Sequence, residues 1–164
     1  MSILSSSKTF YSNLIIIFSI FTLDRLTKIY VIYLDKINSG SEIFSSKFLN
    51  IYLIWNEGIA FGLFAFNENF YYNSFTGIIV IVSLIVFFFM MKSKGIEKYC
   101  FMVIFGGSLG NIFDRLYYSA VPDFIDFHYQ NFHWFIFNVA DIFITTGVII
   151  LIVLEIFKKY DKEY

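Results

Sequence analysis

Asp114, Asp123, Asp126 and Asp141 fall within residues 106–141, and Asn111 and Asn138 stand three positions ahead of the first and the last. At that spacing on a helix, each amide and its acid share a face. Two carboxylates held close together do not easily both ionise, so one keeps a proton. The ionised partner can then take a proton from water while the protonated one polarises a carbonyl. That is aspartic-protease chemistry, and it needs neither a metal nor a covalent intermediate. The chain offers little else for hydrolysis. Cys100 is its single cysteine, and His128 and His133 lie close together without the HExxH spacing of a zinc protease. A GxSxG motif is absent from the sequence. The expectation is therefore acid–acid catalysis with no cofactor and no metal, and the two histidines are given no role.

The elements that must position these acids are membrane-like. Hydrophobic residues make up 58% of the chain and charged residues 15%, well below the share usual in soluble domains. A net charge of −1 gives no general pull toward nucleic acid. One cysteine excludes an internal disulfide. The 164 residues suit one integral membrane domain, 1–164, with no internal repeat. The apolar run after Lys8 ends in Asp24-Arg25 rather than a cleavage site, and is read as a retained first helix.

Four segments approach the length that crosses a bilayer, about 13–34, 74–91, 99–116 and 137–157. The fold expected is a membrane all-α protein with four transmembrane helices and a small β element. Lys8, Lys92, Lys94, Lys98, Lys158, Lys159 and Lys162 gather on one side of that arrangement, against Lys36 and Lys47 on the other. Both termini are then cytoplasmic, and segments 35–73 and 117–136 face outward. In the first outer segment, FLNIYLIWNEGIAFGLFAF alternates around Asn56-Glu57-Gly58 and predicts two short antiparallel strands about a turn. NENFYY (67–72) reads as interfacial. Asp123 and Asp126 are assigned to the second outer loop. Asp24 and Lys28, four apart, share a face of the first helix, so the polar groups converge at one depth, just below the outer surface.

Each feature also has a plainer reading. Asp141 can cap the fourth helix, although Asn138 is the better cap by position. Asp123 and Asp126, taken alone, are ordinary loop acids. Asp114-Arg115 and Asp24 with Lys28 can be structural ion pairs. Gly106 and Gly110 read as a small-xxx-small packing face. Against these stands the expense of ionisable groups in a membrane, which favours function. A proton or cation carrier using the same acids stays open, but helix two has only Ser74, Thr76 and Ser83 for polar groups, and the acids crowd one face.

Asp24-Arg25-Leu26-Thr27-Lys28, Asn56-Glu57-Gly58-Ile59-Ala60-Phe61, GGSLGNIFDR (106–115), PDFIDF (122–127) and FNVAD (137–141) resemble the lipoprotein signal peptidases, or signal peptidase II. The match runs in order along nearly the whole chain. Ser108, Pro122 and the lack of a proline just before Phe137 depart from the pattern, and none of the candidate reacting groups is lost. The resemblance implies an aspartic endopeptidase, a monomer of the bacterial inner membrane with its site near the periplasmic face. It implies cleavage of diacylglyceryl-modified prolipoproteins just before the lipidated cysteine, with membrane lipid and the substrate as its only partners. It further implies Asp123 and Asp141 as the catalytic pair. Asn111, Asp114, Arg115, Asn138 and Ala140 would support them, and Asp24, Lys28, Asn56 and Gly58 would line the substrate site. A non-catalytic chaperone for lipoproteins is the alternative in the same membrane.

Overall fold

The computed structural model describes residues 2–58 and 69–163, with side chains over 11–58 and 72–160. In chain order the elements are α1 (Ser2–Ile37), β1 (Phe44–Ser45), β2 (Leu49–Asn56), α2 (Asn69–Lys92), α3 (Gly95–Tyr118), β3 (Val121–Tyr129), β4 (Phe132–Phe137) and α4 (Val139–Glu163). Helix α3 is central, packing against α1, α2 and α4. Its glycines make that possible. A Cβ on Gly106 would come within 3.1 Å of the Ile17 carbonyl of α1, and one on Gly107 within 2.7 Å of the Ala140 carbonyl of α4. Gly110 also faces α1, where a Cβ would overlap the Asp24 carboxylate. Gly106 and Gly110 thus form the small-residue face expected at that spacing, and the object they admit is a buried acid as well as a helix.

Among the described residues, two helical stretches, Tyr72–Lys92 and Val139–Tyr160, are long and apolar enough to cross a membrane. The expectation of four transmembrane helices is corrected accordingly. Helix α1 carries Asp24, Arg25 and Lys28, and α3 carries Glu97, Lys98, Asp114 and Arg115, which lower their hydropathy below that of a spanning segment. The assignment of lysines and termini to sides was counted on four crossings and falls with them. What remains of the expected fold is four helices with a small antiparallel sheet. Outward faces of α2 and α4 expose Ile81, Leu84, Phe88, Ile149 and Ile156, as a lipid-facing surface requires.

The sheet has the order β1-β2-β3-β4, all antiparallel. Strand β2 lies where the alternation of the first outer segment predicts a strand; the second strand expected there, 59–66, and most of the interfacial NENFYY stretch lie outside the described residues. Strands β3 and β4 are an addition, for 117–136 was read as loop. VPDFIDFHY alternates only from Ile125 on, and the two acids, on opposite faces, with the proline hide a strand there. Pro122 is tolerated because β4 pairs with β3 only from Ile125 onward, so at Pro122 the strand has a neighbour on one side alone.

Two irregularities in this sheet decide which side chains meet. Between the pairs Ile51↔Ile125 and Ile54↔Asp123, three steps along β2 answer two along β3. The extra residue reverses the side to which the following β2 residues point. Asn50, paired with Asp126, therefore lies on one face, whereas Asn56, paired with Val121, shares the face of Asp123. Without that bulge Asn50 and Asn56, six apart, would point the same way. Between Asp126↔Ile136 and His128↔His133 the extra residue is on β4, and His133 turns to the face of His128 and Asp126.

Candidate active site

Asn138 is the hub. Its position just ahead of α4 makes it the N-cap, and its Oδ1 accepts the backbone N–H of Asp141 at 3.2 Å. The Asp141 carboxylate reaches back through Oδ2 to the Asn138 N–H at 3.1 Å. This reciprocal pair is a capping box built from Asn and Asp, and it satisfies two of the free donors at the helix start. With its Oδ1 committed to α4, Asn138 has its amide nitrogen free to donate elsewhere. It lies 2.6 Å from Asp123 Oδ1. One fully buried residue therefore links the two carboxylates, its side-chain amide on Asp123 and its backbone N–H on Asp141.

Each carboxylate has a second amide. Asn56 Nδ2 donates to Asp123 Oδ2 at 2.8 Å, an approach allowed by the bulge in β2. Asn56 is itself fixed by its Oδ1, which accepts the Gly58 N–H at 2.9 Å. Asn111 Nδ2 donates to Asp141 Oδ1 at 2.8 Å. Asp123 is 3% exposed. That burial, and then the charge of neighbouring Asp141, push its pKa from the ordinary 3.8 up to about 7, against the opposing hydrogen bonds of Asn56 and Asn138. Asp123, Asp141, Asn56, Asn111 and Asn138 wall one cavity of about 370 Å³, whose other side is apolar, including Ile79 and Val82 of α2.

Behind that wall lies a buried charge network. Lys28 Nζ reaches Asn111 Oδ1 at 2.8 Å, Asp114 Oδ2 at 2.6 Å and Asp24 Oδ2 at 2.9 Å. Asp24 Oδ1 accepts the Ala140 N–H at 2.9 Å, a third of the free donors at the start of α4. Arg25 pairs with Asp114 and lies over the Phe113 ring at 5.0 Å. Asp24, Lys28 and Asp114 are completely buried. Such charges are tolerable only because each has a partner of opposite sign. The chain of contacts runs from Lys28 to Asn111 to Asp141, so the network sets the orientation of an acid it does not touch.

Of the residues singled out in the sequence, Asp123, Asp141, Asn111, Asn138, Arg115 and Asn56 come together around the cavity. Arg115 donates to the Gly58 carbonyl at 2.7 Å and so ties α3 to the turn after β2. Asp114 and Ala140 stand in the supporting network. Asp24 and Lys28, expected on the substrate wall, are instead sealed beneath it, because their charges are used up by Asp114, Asn111 and the start of α4. Asp126 is not part of this cluster. Three residues beyond Asp123 on one strand, it points to the opposite face, where Asn50 lies 3.5 Å and His133 Nδ1 2.8 Å from its Oδ2. Sequence reasoning missed Asn50 and Tyr72, whose hydroxyl donates to the Arg115 carbonyl at 3.4 Å. Neither carries a local signal, since both act through contacts distant in the chain.

The family profile described as signal peptidase (SPase) II matches residues 16–157. The lipoprotein signal peptidase of Pelagibacter ubique is 50% identical over 155 residues, covering 94% of this chain and 93% of that protein. That of Anaplasma phagocytophilum is 36% identical over 148 residues, covering 90% and 93%. Among solved structures, a bacterial membrane enzyme determined by the in meso method at 2.3 Å superposes with a TM-score of 0.76 at 27% identity, over 92% of this chain and 91% of that one. With two spanning helices and a membrane enzyme as structural counterpart, the chain is a multi-pass membrane protein. These matches extend through every segment that builds the carboxylate cluster, and the chain belongs to the signal peptidase II family.

Proposed function

We propose that Asp123 and Asp141 are the catalytic pair with which this peptidase removes signal peptides from lipoproteins. The activity is that of the family; the assignment of the pair rests on one observation, that Asn138 bridges the two acids on the wall of a shared cavity. Asp123, with its pKa near 7, carries the shared proton. Asp141 takes a proton from water as the oxygen attacks the scissile carbonyl, and Asp123 gives its proton to the carbonyl oxygen. In the collapse of the tetrahedral species the C–N bond breaks. The proton on Asp141 passes to the departing nitrogen, and a hydroxyl proton returns to Asp123. Both carboxyls are then as they began.

The apolar far wall of the cavity, on α2, suits a signal peptide that is itself a membrane helix and enters sideways from lipid. Asn56 and Gly58, at the end of β2, stand where an extended peptide can be met by backbone hydrogen bonds. Arg115 supports that turn, and Asn111, Asp114, Ala140, Asp24 and Lys28 hold the pair in register. The substrate proposed is a diacylglyceryl-modified prolipoprotein cut just before its lipidated cysteine, by a monomer in the bacterial inner membrane with the cavity near the periplasmic face.

The test is mass spectrometry of such a substrate incubated with purified protein. Cleavage before the modified cysteine is expected from the wild type and none from Asp123→Asn or Asp141→Asn, with both variants folded by circular dichroism. Normal processing by either variant would overturn the pair.

A further inference from the structure

The face of β3 turned away from Asp123 carries a second cluster. Asp126, His128 and His133 each offer one ligand atom, and these atoms lie within 4.8 Å of one another. The fold brings them together deliberately. Asp126 and His128 are two apart on one strand and share a face, and the bulge in β4 makes His133 the cross-strand partner of His128. The two imidazoles stack at 5.1 Å with their planes 19° apart. Asp126 is fully buried, with Asn50 and His133 on its Oδ2 and the Tyr52 hydroxyl beside the carboxylate. Yet its Oδ1 has no partner within hydrogen-bond distance among the described residues, and neither has the buried Nδ1 of His128. Buried lone pairs without partners are costly and few, and two of them in one cluster point to something that both would bind.

We propose that Asp126, His128 and His133 form a binding site for a divalent transition-metal ion of the zinc class. Two imidazole nitrogens and one carboxylate oxygen are the donor set such ions prefer, whereas calcium and magnesium require more oxygens. On binding, His133 Nδ1 exchanges its hydrogen bond to Asp126 for a bond to the ion. The His128 and Asp126 atoms gain the partner they lack. The ion joins β3 to β4 close to their connecting turn, on the strand that carries Asp123 but on its other face. Its role is to fasten the hairpin, and the carboxylate pair does not need it for chemistry.

The experiment uses the full chain without an affinity tag, in detergent, stripped with EDTA and then freed of chelator. Zinc is titrated calorimetrically, and cobalt is added separately as a visible probe. One equivalent of zinc should bind, cobalt should give ligand-field bands, and zinc should raise the unfolding temperature. His133→Asn and His128→Asn, each removing a ligand, should weaken zinc binding by at least about 10- to 100-fold, the loss seen when only a ligand's hydrogen-bond partner is removed. His133 has half its side chain exposed, so its replacement leaves the fold intact even if Asp126→Asn does not. The absence of saturable one-equivalent binding, or equal affinity in His133→Asn, would overturn the site. So would binding that survives both histidine changes and disappears in Cys100→Ser.

Discussion

The amide nitrogen of Asn138 lies 2.6 Å from Asp123 Oδ1 while its oxygen accepts the backbone N–H of Asp141. A helix cap and an active-site bridge are therefore the same side chain, and the two roles can be separated by substitution. Asn138→Ala removes both. Loss of the cap should cost about 1 kcal/mol, and cleavage should fall by at least about 100-fold, as when one preorganised donor is lost. Asn138→Ser keeps a capping oxygen without an amide to reach Asp123. It should recover most of the thermal stability and little of the turnover; recovery of both would mean that the bridge to Asp123 is dispensable.

The pH dependence follows from Asp123. Its pKa of about 7 lies above its ordinary value, so the protonated form is favoured in the folded protein. If that proton is delivered to the substrate, kcat/KM falls tenfold per unit as pH rises beyond about 7. Stability moves in the same sense. A raised carboxyl pKa stabilises the fold fully below about 4 and progressively less as pH rises through about 7. The hydrogen bond from Asn56 opposes the rise, so Asn56→Leu should displace the alkaline limb to still higher pH. A limb that stays in place would detach it from Asp123.

Gly110 gives a steric test. A methyl there would overlap the Asp24 carboxylate, which in turn accepts the Ala140 N–H. Gly110→Ala should destabilise by about 1–3 kcal/mol, the usual range for forced overpacking, and should depress cleavage by shifting α1 or the start of α4. Gly77 in α2 has nothing within 4 Å of an added Cβ. Gly77→Ala should be neutral or stabilise by up to about 1 kcal/mol through helix propensity. Thermal unfolding in detergent and the cleavage assay distinguish the two.

Lys28 balances Asp24 and Asp114 where neither is exposed. Lys28→Met leaves two buried acids short of a cation and should cost about 3–5 kcal/mol. Lys28→Met combined with Asp24→Asn and Asp114→Asn should cost less than Lys28→Met alone, because the uncompensated charges are gone. An additive penalty, measured by chemical unfolding, would show that packing rather than charge governs this layer.

The sequence alone determined the chemical inventory. Paired Asn-x-x-Asp segments, acids beside apolar runs and a glycine face on α3 follow from residue type and spacing, and those signals are local. Even so, the two Asn-x-x-Asp pairs proved unlike: Asn138 and Asp141 close a capping box on each other, whereas Asn111 and Asp114 meet through a shared Lys28, and Asn111 reaches on to Asp141. Helix length and hydropathy together, applied to the described residues, cut the four expected crossings to two, because the charges of α1 and α3 count against them. Tertiary structure decided which acids meet. Asp123 and Asp126 are alike in sequence, and strand alternation sends one to the cavity and the other to the histidines. A bulge in β2 then delivers Asn56 to the first and Asn50 to the second. A single extra residue in a strand leaves no mark on composition, but it reverses the side to which every later side chain points.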